Sequence, residues 1–179
     1  KRGPSWESLK ETYVAKSQVP INLLNQIHER DAPDAIAALD KINSLLVVRN
    51  ERAEEWLQAR LNLATEKDRF HEDANAIRAY QEVADRASKQ VKQANASIAG
   101  YGTVLNLLTE GRFLKETKLT GVPLPRLELE ELKKVVQNNQ PEIGAGGIHS
   151  EKMKPYKAIY DALNEEIFPE YWEKTNSPD

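Results

Sequence analysis

The sequence predicts an all-α protein: an elongated helical bundle built on a long antiparallel helical hairpin, about 33–71 and 74–109, with shorter N- and C-terminal helices. Three observations carry this. Between Asp34 and Ala99 lie 66 residues with neither glycine nor proline, far more than the roughly ten that a strand uses. Stepping by seven from Ala35 gives Ala35, Ile42, Arg49, Trp56, Leu63, Phe70, Ile77, Ala84, Val91, Ile98 and Leu105. Only Arg49 breaks that apolar row, and such a row is the seam of coiled-coil-like packing. No stretch alternates convincingly like a strand; "RLELEEL" does so briefly, but strong helix formers follow it.

The hairpin's turn is read from a change in the companion row. Up to Lys67 the partners lie four residues on: Leu39, Leu46, Ala53, Arg60 and Lys67. Beyond it they lie three on: Tyr80, Ala87, Ala94, Tyr101 and Leu108. The buried face therefore rotates, as it does at a turn. "FHEDANA" is the place, with Asp73 as N-cap of the second helix. One helix of about 100 Å, at 1.5 Å per residue, is the alternative.

The flanking elements follow in order. "SLKE" reads as a capping box at Ser8 and Glu11, with Trp6, Leu9 and Tyr13 on one face. Pro20 restarts a short helix carrying Leu23, Leu24 and Ile27. Asp31 reads as the cap of the first long helix, with Pro33 and Asp34 in its opening turn. Gly111 stops the second. "TGVPLPRLELEELKKVV" is an extended proline loop running into a helix from about 126 to 138. Pro155 opens the last helix, whose face is Tyr156, Ile159, Leu163 and Ile167. Linkers are expected near 119–125 and 139–150, the latter as the most mobile internal segment. The whole is read as a single helical domain, 1–179. Because it opens "KRGPS" at Lys1, the chain is taken as a fragment or a mature form.

Composition excludes several function classes. Hydrophobic residues are 40% and charged residues 30%, with a net charge of -3, so no global field draws in nucleic acid. No apolar run reaches the roughly 18–20 residues of a membrane span. The chain has no cysteine, which removes disulfides, thiolate metal sites and cysteine nucleophiles together. It leaves the compartment open, a secreted or extracytoplasmic one included. Residues 49–92 carry nine Lys/Arg and nine Asp/Glu, well mixed, with i,i+4 pairs such as Glu82–Arg86 and Asp85–Lys89. That pattern makes a solvated helix surface and no funnel for phosphates.

Chemistry-bearing motifs are few. "EIGAGGIHSEK" holds three of the eight glycines and then His149. A phosphate loop needs a preceding strand and then Lys-Ser/Thr, and a dinucleotide fingerprint needs glycine where His149 stands. The stretch reads as an interhelical linker. Asp68-x-x-His71 is a single pair where a di-metal bundle needs two, so an acidic hairpin tip accounts for it. Glu54–Glu55, Glu130–Glu131 and Glu165–Glu166 read as helix surface. No Gly-x-Ser-x-Gly elbow exists. "NAS" at Asn95–Ser97 and "PLPR" at 123–126 are too degenerate to carry weight.

Two features depart from a plain bundle. Arg49, Arg60 and Lys67 occupy seam positions, either paired with acids or snorkelling outward; the alternative is that this edge contacts something other than the bundle. The C-terminus gathers Phe168, Tyr171 and Trp172 among glutamates, a bundle cap or a protein-binding patch. These three aromatics are the candidate partner-binding residues. No catalytic, cofactor-binding or metal-ligating residue is assigned, and no cofactor is expected. The expected function is a non-enzymatic protein-interaction or scaffolding module, part of a secreted, envelope or assembly protein, with a protein partner expected and a homo-oligomer admitted. The alternative is a helical bundle that binds a small ligand or a metal ion.

Overall fold

The computed structural model describes residues 4–17, 19–68, 71–117, 126–141 and 151–168. Every regular element among them is helical. In chain order these are α1 (Trp6–Ser17), α2 (Ile21–Leu24), a 3-10 turn (Glu29–Asp31), α3 (Ala32–Lys67), α4 (Ala74–Leu108), α5 (Arg112–Thr117), α6 (Arg126–Asn138), α7 (Lys154–Ala162) and a π-helical turn (Leu163–Ile167). The two long helices, α3 and α4, pack against each other as a hairpin. Asp73 caps α4 as its position predicts, its Oδ1 accepting the N–H groups of Asn75 at 2.9 Å and Ala76 at 3.3 Å.

Two predicted caps are displaced. Helix α1 begins at Trp6, and Ser5 caps it, its Oγ accepting the Ser8 N–H at 3.2 Å. Ser8 is therefore already inside the helix. The earlier start brings Trp6 into the core, where its indole N–H donates to the Ile27 carbonyl at 3.3 Å. Asp31 is no side-chain cap either. It lies in the 3-10 turn, whose Asp31 N–H bonds the His28 carbonyl and which runs directly into α3. Pro33 fits there because the first turn leaves its own N–H groups unbonded.

The chain divides into two compact units, Lys1–Arg49 with Gln93–Leu124 and Asn50–Lys92 with Pro125–Asp179. In the first, Trp6, Tyr13, Val19, Leu23, Leu24 and Ile27 form one core with Ala35, Leu39 and Ile42 of α3 and Ile98 and Leu105 of α4. Phe113 of α5 completes it. The end of α4 shows why the chain reverses. Gly111 N–H bonds the Asn106 carbonyl at 2.8 Å and Glu110 N–H the Leu107 carbonyl at 3.4 Å, the paired bonds of a Schellman stop. Both residues take positive φ, 55° at Glu110 and 82° at Gly111. Thr109, buried, stitches the corner: its Oγ1 donates to the Leu105 carbonyl at 2.8 Å and accepts the Phe113 N–H at 3.0 Å.

In the second unit Trp56, Leu57, Leu61, Ala84, Ala87 and Val91 are buried on the long helices. Leu129 and Val136 are buried on α6, and Tyr156 and Ile159 on α7. The seven-residue row thus marks buried or half-buried positions at every described step. Its charged members resolve separately. Arg49 is buried at 1% exposure. The Arg60 guanidinium lies over the Trp56 ring, 5.2 Å from its centre, so its stem packs while its charge reaches outward. Lys67 is exposed in the last turn of α3, where a cation suits the helix dipole.

Of the predicted linkers, 119–125 lies outside the described residues, as does 142–150 of the second. No described helix is long and apolar enough to cross a membrane.

Candidate functional site

The feature that stands out in the first unit is an open groove of about 760 Å³. One wall is α3, with Asp34, Ala37, Ala38, Asp40, Lys41 and Ser44; the other is α4, with Tyr101, Val104, Leu107 and Leu108. The spacing explains the walls. Residues 34, 37, 41 and 44 recur at three and four along α3, on the side away from the buried Ala35, Leu39 and Ile42. Leu107 stands between Leu105, which is wholly buried, and the half-buried Leu108, and it is 76% exposed. The lining is apolar along α4 and at Ala37 and Ala38, and charged along the α3 edge.

That charged edge is ordered from below. The Tyr13 hydroxyl donates to Asp40 Oδ1 at 2.7 Å. Burial of the phenol, the hydrogen bond to Asp40 and that carboxylate's charge push the Tyr13 pKa up from 10 to about 12. Among the described residues no ion pair within 4.0 Å involves Asp34, Asp40 or Lys41. Asp34 and Lys41 are therefore available to a visitor, while Asp40 already accepts the Tyr13 hydroxyl.

A smaller pocket of about 340 Å³ lies in the second unit, lined by Asn50, Glu54, Glu131, Leu132, Val135 and Phe168. Phe168 is the one expected partner-binding aromatic among the described residues. It is buried, at 2% exposure, directly after the π-helical turn, its N–H bonded to the Leu163 carbonyl at 3.0 Å. The ring is thus covered within its own chain. Tyr171 and Trp172 lie outside the described residues, and so does His149.

The remaining sequence candidates are not brought together. His71 is exposed at the hairpin turn, and among the described residues no three His, Asp or Glu side chains are grouped to hold a metal ion. Glu55 pairs with Arg52, and Glu130 lies 3.9 Å from Lys133. Glu165 and Glu166 are exposed. No known protein family matches the chain, and no curated protein or solved structure matches it either.

Sequence reading missed the groove, though one signal was there. Leu107 lies off both seam rows, which claim Leu105 and Leu108. An apolar residue that the periodicity leaves outside is a candidate for a surface that something else covers.

Proposed function

We propose that this chain is a non-enzymatic protein-interaction module whose first unit receives a helical segment in the groove between α3 and α4. The single observation behind this reading is Leu107, 76% exposed in a groove whose other wall carries Ala37 and Ala38 beside Asp34, Asp40 and Lys41. Helix-in-groove recognition needs such a trough, with apolar anchors at helical spacing and polar groups at the rim to set register. Tyr101, Val104 and Leu108 supply the apolar wall, and Asp34, Asp40 and Lys41 supply the rim.

The test is a photo-reactive benzophenone side chain placed at position 107, with the same group at exposed Glu82 as control. A protein adduct at 107 and none at 82 is the expected result. Equal labelling at both positions, or none at 107, would refute the groove as a binding site.

A further inference from the structure

The α3 wall of the groove has a symmetry that bears on what fills it. Its central residues are Asp34, Ala37, Ala38 and Lys41. The spacing from 34 to 37 equals that from 38 to 41, so the wall reads acid, methyl, methyl, base. A twofold axis between Ala37 and Ala38 would set two copies of α3 antiparallel. Residue 37 of each then faces residue 38 of the other, and residue 34 faces residue 41.

We propose that the occupant of the groove is a second copy of this chain, docked antiparallel about that axis, with Asp34 of each copy pairing with Lys41 of the other. The proposal rests on the protein-binding reading above and names the partner. Four observations support it. Asp34 and Lys41 are seven residues apart, about 10 Å at 1.5 Å per residue and close to two turns, so both lie on one face. Neither is engaged in an ion pair within its own chain. No large side chain stands at the crossing, since Ala37 is exposed and Ala38 is already covered within its own chain, so helix axes can approach to about 8 Å, the short end of ordinary helix packing. The twofold also avoids like-charge opposition, because Asp40 faces the position of the buried Ala35 and is held by Tyr13. An isologous interface needs this kind of self-complementarity. Here the exposed ion pairs set orientation, and the apolar surface around Leu107 supplies the strength.

The test is mass in solution by light scattering or sedimentation equilibrium. Wild type is expected at twice 20.3 kDa. Asp34→Lys and Lys41→Asp should each fall to the monomer mass, since each single change sets like charges against each other at both pairs. Mixing the two variants should restore the dimer, because every 34–41 pair in the mixed species is again opposite in sign. That recovery also shows that neither variant is merely misfolded. A wild-type monomer at every concentration, a dimer indifferent to both reversals, or a mixture that stays monomeric would each overturn the proposal. The benzophenone at position 107 separates this failure from failure of the groove itself. An adduct of twice the chain mass supports the second copy; one of another mass overturns it while leaving the groove a binding site; no adduct overturns both.

Discussion

The Tyr13 hydroxyl donates to Asp40 across 2.7 Å and so ties α1 to α3 at the edge of the groove. Burial of the phenol, together with that bond and the Asp40 charge, sets a pH dependence. The phenol's pKa rises from 10 in the unfolded chain to about 12 in the fold, so the neutral form is favoured by folding. Below pH 10 the contribution is fully present. Between 10 and about 12 the unfolded chain loses the proton first and stability drains away, by at most on the order of 2–3 kcal/mol. Above about 12 it is gone. Urea unfolding at pH 9 and pH 11.5 checks this: Tyr13→Phe should lose less stability than wild type over the same interval, and equal losses would refute it.

Trp56→Ala should lower stability by about 3–5 kcal/mol, as large truncations in a core do. Trp56 is 2% exposed and carries the Arg60 guanidinium over its ring. Chemical denaturation measures the loss. An unchanged midpoint would mean that the seven-residue seam does not pack.

Gly111→Ala should cost about 1–2 kcal/mol, the penalty of a left-handed conformation for a residue with a Cβ. Its φ is 82°, and a Cβ built there meets nothing within 4 Å, so the cost is conformational and not steric. Asn, which tolerates that region, should recover part of it. If Ala and Asn prove equivalent to glycine, the chain reverses there by some other geometry.

Phe168→Ala should lower the melting temperature, with a loss of about 3–5 kcal/mol, because the ring is 2% exposed. Calorimetry decides it. A ring that served only as an anchor for a partner would leave the melting temperature of the free protein where it was.

The hairpin was legible because α3 and α4 repeat one rule over many turns, and every described step of the row from Ala35 to Leu105 is buried or half-buried. The caps were less so. "SWESLKE" offers two serines three residues apart, and the choice of Ser5 over Ser8 depends on Trp6 reaching the Ile27 carbonyl, a contact made 21 residues away. Helix α5 went unread because Thr109, which accepts its Phe113 N–H, looks in sequence like any residue ahead of a glycine stop. The π-helical turn 163–167 was invisible for another reason: Leu163 and Ile167 keep the spacing of an ordinary helix face and are buried as that face predicts. The groove belongs to a different class. Periodicity marks residues that should be covered, but Asp34, Lys41 and Leu107 form a wall only through how α3 and α4 are placed. The symmetry of 34, 37, 38 and 41 becomes meaningful once these positions line one groove.

The core of the first unit has a consequence for synthesis on the ribosome. Its early members end at Ile42 on α3, and the α4 residues that join them begin at Ile98. The 56 residues from Asn43 to Ile98 take roughly 3–11 s to add at about 5–20 residues per second. For that interval Trp6, Leu23, Leu24 and Leu39 have been made while Ile98, Leu105 and Phe113 have not. A nascent chain halted near residue 90 should therefore bind holdase chaperones, and one long enough to have released Phe113 from the exit tunnel should not.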